Sequence, residues 1–180
     1  HAKIFLVTST AVGEGKSTIS QNLAEIFSDW GKRVVLIDGD LRSPSLYKRY
    51  GIKGREMSIE AVLSGTAPLK SVLTTKKDNN LILVGNTVPV DNSTALINSM
   101  AMERIIKQLA ENADILIIGG TSLAVYPAAG LIDSFHGENL ILINKSATNK
   151  DSLADLIIRE PIGNCFAKIT RKIFSRRFWS

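Results

Sequence analysis

Phe5-Leu-Val-Thr-Ser-Thr-Ala-Val-Gly-Glu-Gly-Lys-Ser-Thr-Ile-Ser-Gln-Asn-Leu-Ala24 reads as strand, glycine loop and helix in succession. Ile4 to Val7 is a short apolar, partly β-branched run, the composition of a buried parallel strand. Gly13, Glu14, Gly15, Lys16, Ser17 and Thr18 follow where a phosphate-binding loop needs them. Glycines let backbone N–H groups turn inward and come close to phosphate oxygens. Lys16 supplies a point charge for the β and γ phosphates, and the Ser17 hydroxyl can hold Mg²⁺. Ile19, Leu23 and Ile26 continue at helical spacing, so the positive end of a helix also faces the anion. The usual pattern has a glycine five positions before Gly15, where this chain has Thr10. A bare Gly-x-Gly also fits a plain turn, but the strand before it, Lys-Ser-Thr after it and the helix behind it favour phosphate.

The 180 residues suffice for one compact domain spanning 1–180, and the sequence is equally readable as a fragment of a longer, membrane-linked protein. Hydrophobic residues make up 44% and charged residues 22%, an ordinary globular balance. No apolar run approaches the roughly 20 residues of a membrane helix. No signal peptide is visible, because the first apolar segment is short and leads directly into the loop. The lone Cys165 reads as a small buried hydrophobe in a reducing compartment. No His/Cys cluster has metal-ligand spacing. Of the 22 basic residues, five (Lys168, Arg171, Lys172, Arg176, Arg177) lie in positions 161–180, which hold no acid. The remaining 17 basic residues balance the 17 acidic ones, so the net charge of +5 belongs to the tail. A neutral body gives no footprint for nucleic acid.

Further along, a first helix is expected from Lys16 to Trp30, stopped by Gly31, and a central strand over Arg33–Asp38. Asp38 closes that strand and Asp40 and Arg42 follow, at the edge where ligands gather in open α/β sheets. Ser58–Leu63 reads as a short capped helix and Leu81–Val84 as a third strand. Ala95–Glu111 reads as largely helical, and Asp114–Ile118 as a fourth strand. Leu140–Ile143 is expected as a fifth strand, Asp151–Arg159 as a helix and Ile162–Ala167 as a sixth strand. Strands alternating with helices predict an α/β fold, a three-layer, P-loop-type architecture with a mostly parallel central sheet flanked by helices.

V-G-E-G-K-S-T-I-S-Q-N-L-A at 12–24 and V-V-L-I-D-G-D-L-R at 34–42 resemble the bacterial tyrosine kinases of capsule and exopolysaccharide synthesis. S-I-E-A-V-L-S-G-T-A-P-L at 58–69 and V-P-V-D-N-S-T-A-L-I at 88–97 extend the likeness, which spans roughly 3–170. Partitioning and septum-site ATPases usually carry a lysine near Ala11 or Val12, absent here. The resemblance implies a P-loop domain that binds ATP or ADP with Mg²⁺. It also implies tyrosine phosphorylation, and work with, or fusion to, a membrane protein that sets polysaccharide chain length. By position, Gly13, Gly15, Lys16 and Thr18 would hold phosphates, Ser17 and Asp38 would serve the metal, and Lys16, Asp38 and Asp40 would be the catalytic set. A cytoplasmic place at the inner face of the membrane follows from the same resemblance.

The chain departs from the family's pattern in three places. The fourth strand should end in an aspartate but continues Gly119-Gly120-Thr121-Ser122. Glycine cannot hold a metal-bound water, and loss of such a carboxylate would cost orders of magnitude in phosphoryl transfer while sparing the phosphate cradle. Asp114 sits at the wrong end of that strand to compensate. The tail holds no tyrosine, the only three being Tyr47, Tyr50 and Tyr126. Ala167 stands where the family often has an asparagine near the base. The preferred reading is a nucleotide-binding domain with impaired catalysis, regulating a membrane partner. The alternative is a working kinase or ATPase using Asp38 and Asp40, which restoration of an aspartate at 119 would distinguish. A nucleotide-free scaffold and a partitioning-type ATPase are weaker readings. Residues 168–180 interleave Ile169, Ile173, Phe174, Phe178 and Trp179 with basic side chains. They read either as an amphipathic helix at a membrane surface or as a last helix packed on the sheet. A homo-oligomer fits the family, but the Glu/Arg motif that precedes its first strand has no counterpart in this sequence.

Overall fold

The β-branched runs pair into one twisted sheet. In the computed structural model, which describes residues 3–9, 13, 15–52, 58–76, 80–97, 99–122, 141–143, 151–160 and 164, β1 (Lys3–Ser9), β2 (Val34–Asp38), β3 (Thr74–Thr75), β4 (Leu81–Val84) and β5 (Ile115–Ser122) lie in the order β1-β5-β2-β4-β3. All neighbours are parallel except β3, an antiparallel edge of two residues. The expectation of a mostly parallel sheet flanked by helices is met.

Alternation along the strands sorts the two faces. Val35 and Ile37 of β2 and Leu116 and Ile118 of β5 join one core with α3 (Ile59–Leu63), α4 (Ser93–Ile97) and α5 (Met100–Glu111). The opposite face carries α1 (Lys16–Asp29), which packs on β1, β2 and β5. Phe5 on β1 stacks against Phe27 of α1 with ring centroids 5.6 Å apart. β2 is buried along its whole length, as a central parallel strand must be.

Local chemistry sets several ends. Gly31, at φ 76°, follows α1 as expected. The Ser58 hydroxyl accepts the Ala61 N–H at the start of α3. The stretch expected as largely helical over Ala95–Glu111 is so, in two helices, and Ser99 caps α5 by accepting the Met102 N–H at 3.2 Å. A short helix, α2 (Leu46–Arg49), was not foreseen. Its Tyr47 is 2% exposed, and its hydroxyl donates to Val72 O and accepts from Gly85 N, each at 3.1 Å. No helix of the described residues is long and apolar enough to cross a membrane.

The chain separates into two compact units, residues 1–131 and 132–180. The sheet above belongs to the first. In the second, β6 (Ile141–Ile143) pairs in parallel with β7 (Leu156–Ile158). This corrects the helix expected over Asp151–Arg159. Only Asp151–Leu153 forms a 3₁₀ turn, and the β-branched end of the segment pairs as a strand instead. Arg159 closes the loop by an ion pair to Asp151. The strand expected over Ile162–Ala167 and the basic tail lie outside the described residues apart from Asn164.

Candidate functional site

The glycine loop ends at α1 as the sequence demands. Gly15 is the N-cap at φ 90° and Gly13 sits at φ 81°, both in the left-handed region where a β-carbon is strained. Among the described residues, nothing lies within 4 Å of a β-carbon built on either. Among the described residues no side chain caps the helix, and its first turn holds no acid. The Ile19 N–H closes the first intrahelical bond, onto Gly15 O at 3.0 Å. The amides ahead of it therefore lie outside the helix's own ladder. Open space, left-handed glycines and an uncapped positive helix end are what a phosphate group requires. Lys16, Ser17 and Thr18 form the first turn, while Glu14 lies outside the described residues.

Asp38 ends β2 at the same edge of the sheet, 5% exposed. Its Oδ2 accepts the N–H groups of Ser45 and Leu46 at 2.9 Å each, and its Oδ1 accepts the Asp40 N–H at 3.1 Å. Burial raises its pKa, and the three backbone donors oppose that rise. The carboxylate thus fastens the loop from Asp40 to the start of α2. The Asp40 side chain in turn accepts the Ser43 N–H at 2.9 Å. Arg42 reaches Ser93 instead, its Nε donating to the hydroxyl at 3.1 Å. Among the described residues no group of three or more His, Cys, Asp or Glu is placed to hold a metal ion.

Gly119 sits directly beside Asp38 in register, and its carbonyl accepts the Gly39 N–H at 2.6 Å. Here β5 is irregular. Leu6 faces Ile118 while Thr8 faces Thr121, so Gly119 and Gly120 together oppose Val7. Two residues against one is a β-bulge. The strand continues to Ser122, four residues beyond its expected end at Ile118. A β-carbon at Gly119 would lie 2.1 Å from Ser20 Oγ and 2.5 Å from Ser20 Cβ. The position of the missing acid is therefore filled by α1. This corrects the premise that an aspartate could simply be restored there. Asp114 is at the far edge, as expected. It accepts the backbone N–H of Arg33 at 2.8 Å and pairs with its guanidinium at 2.9 Å, which hold its pKa down to about 2.

Sequence reasoning missed Ser20 and Arg49. Ser20 is four residues past Lys16 and bonds Lys16 O at 2.8 Å, an ordinary helical serine until β5 is seen against it. The guanidinium of Arg49, at the end of α2, donates to Thr18 Oγ1 at 3.1 Å. Nothing in the local sequence around Arg49 signals that contact.

A parallel sheet with a glycine loop, lysine and helix at its carboxyl edge defines a P-loop nucleotide-binding domain. Residues 5–160 match the CobQ/CobB/MinD/ParA nucleotide-binding domain, and the chain belongs to that family. The tyrosine-protein kinase YwqD of Bacillus subtilis is 25% identical over 174 residues, covering 96% of this chain and 72% of the kinase. The kinase domain of VpsO superposes with a TM-score of 0.71 at 24% identity, covering 87% of this chain and 83% of that one. MinD of Pyrococcus horikoshii in complex with Mg-ADP gives 0.62 at 19% identity, covering 90% and 83%. A second kind of match is shorter but higher in identity. The NAD-dependent protein deacetylase of Clostridium perfringens is 64% identical over 58 residues, 32% of this chain and 24% of the deacetylase. Its counterpart in Clostridium acetobutylicum is 55% identical over 67 residues, 37% of this chain and 27% of that protein. The chain spans about a quarter of the length of these deacetylases.

Proposed function

We propose that the first unit binds ATP or ADP with Mg²⁺ and that phosphoryl transfer is impaired. The observation that carries this is the contrast between the open, left-handed glycines at 13 and 15 and the filled position at 119. In this reading the loop from Gly13 through Glu14 and Gly15 to Thr18 holds the phosphates, Lys16 neutralises them, and Ser17 takes the Mg²⁺. The ion compensates phosphate charge when bound. Asp38 stands behind it as an outer partner, since its oxygens already accept three backbone donors. That engagement weighs against Asp38 as a proton acceptor, and against the active-kinase alternative. Regulation of a membrane chain-length partner from the cytoplasmic face is the role that the likeness to tyrosine kinases supports. The test is calorimetry with MgADP on the wild type and Lys16→Ala. Loss of the lysine's charge-assisted contact weakens binding about 30-fold or more. An absence of wild-type binding, or indifference to the substitution, would sink the reading.

A second reading is favoured by the deacetylase match. The kinase-like motifs at 12–24, 34–42, 58–69 and 88–97 leave no gap of 67 residues before position 98. A stretch of that length avoiding them lies within 98–180 and includes 114–164. We infer that this part of the chain has deacetylase-like ancestry. Gly119-Gly120-Thr121-Ser122 is then native to its own segment and not a damaged kinase motif. The associated proposal is that the segment contacts NAD independently of the loop. Titration with NAD should give a response that Lys16→Ala leaves unchanged, and a flat titration would refute it.

A further inference from the structure

β7 is an outer strand made wholly of apolar residues. Among the described residues it pairs on one side only, with β6, and that sheet has two strands. Strands of a parallel sheet are normally covered on both faces, and two strands alone are seldom stable in water. Yet Leu156 is 49% exposed and Ile157 37%, and Leu153 just ahead of them is 49% exposed. Side chains alternate along a strand, so Leu156 and Ile157 leave apolar surface on opposite faces. A layer packed on one face would leave the other bare. A strand added along the edge brings neighbours to both faces and pairs the open row of N–H and C=O groups.

The flanking residues say which strand fits. Asp155-Leu-Ile-Ile-Arg159 reads acid, three apolar residues, base. Two identical strands related by a two-fold axis run antiparallel, and each contact is repeated in reverse. With the axis on Ile157, that residue faces its own copy, Leu156 faces Ile158, and Asp155 faces Arg159 at both ends. A slip of one residue either way sets Asp155 against Glu160 or Ile158 and loses both charge pairs. We propose that β7 is the seam of a homodimer, pairing antiparallel with β7 of a second copy of this chain. The seam needs no nucleotide and goes beyond the reading above. Arg159 also holds Asp151, and Asp155 has a contact inside its own chain as well. Neither contact has to break, because a guanidinium has several N–H donors and a carboxylate several acceptor sites. The charge pairs set register and choice of partner more than strength.

The experiment is sedimentation equilibrium of the full chain at low salt. A seam this short is a small interface, so a dissociation constant on the order of 100 µM is expected, read from about 10 µM to about 1 mM. The average mass of the wild type should climb from one chain toward two. Asp155→Arg and Arg159→Asp each set like charges face to face at both ends, and each should stay monomeric. Mixed in equal amounts they should associate again, because each reversed charge then faces its opposite. Ile157→Lys should also stay monomeric, since a charge on an edge strand blocks pairing. It carries the test should Arg159→Asp lose the fold along with the tie to Asp151. Thermal unfolding at the lowest concentration should leave Asp155→Arg and Ile157→Lys within about 2 °C of wild type, as for exposed positions. A wild type that keeps the mass of one chain throughout would overturn the proposal. So would a dimer that Ile157→Lys leaves intact, or folded single variants whose mixture stays monomeric. A monomer whose melting temperature falls with Ile157→Lys would put another part of the same chain on this edge, and would overturn it too.

Discussion

The glycines after β1 and the glycine within β5 lie at the same edge of one sheet and mean opposite things. Gly13 and Gly15 have left-handed backbones, and among the described residues nothing lies within 4 Å of a β-carbon built on either. There the missing side chain leaves room for something else to approach. Gly119 has no room, since α1 lies against it and a β-carbon would collide with Ser20. There the missing side chain lets the Ser20 side chain of α1 close onto the strand. The same residue type thus builds a cradle at one strand end and a seal at its neighbour. The lesson is that a glycine where an acid is expected is not by itself a vacancy.

The largest test of that contrast is Gly119→Asp. Overpacking and a buried carboxylate together should cost on the order of 3 kcal/mol in urea unfolding. Ser20→Gly combined with it should recover part of the loss, because the clashing atoms are gone, and the two changes should be strongly non-additive. A fully stable Gly119→Asp protein would erase the distinction between seal and cradle. Gly15→Ala probes the other side. It should cost about 1–2 kcal/mol through left-handed strain, with no steric component, and should weaken MgADP binding at the loop. An alanine that binds as well as glycine would mean the backbone there does not need its conformation.

The smallest effects are in pH. Burial raises the folded pKa of Asp38 above 3.8. Its ionisation therefore subtracts from stability, fully favourable below that value and progressively less so as pH rises through the folded one. Asp114, held at about 2 by Arg33, does the reverse. Its contribution is present above 3.8 and lost as pH falls through about 2. Urea unfolding of Asp38→Asn and Asp114→Asn from pH 2 to 7 should give differences from wild type that slope in opposite directions. Parallel slopes would show that the two edges of the sheet do not differ in this way.

What was legible in the sequence was local. The strand–loop–helix at the start, the buried runs of β2 and β4, and the Ser58 cap each rest on a short pattern with one physical meaning. What was not legible depends on distant partners. α2 starts because a carboxylate seven and eight residues upstream accepts its first N–H groups. β7 defeats its helical spacing of Leu153, Leu156 and Ile157 because β6 is there to pair with it. The bulge at Gly119 and Gly120 is a two-against-one match with Val7 on another strand. Arg49 meets Thr18 across 31 residues. The candidate acids were found from their spacing, but spacing could not tell that Asp38 would be occupied by backbone donors.

The phenol of Tyr47 is a bolt between α2 and two backbone groups, and the Tyr50 hydroxyl, three residues on, is also buried. Neither can receive a phosphate while the first unit stays folded. Radiolabel incorporated by native protein would accordingly report on Tyr126, on a hydroxyl elsewhere, or on a different polypeptide. Label recovered on Tyr47 would instead be a record of chains that had opened.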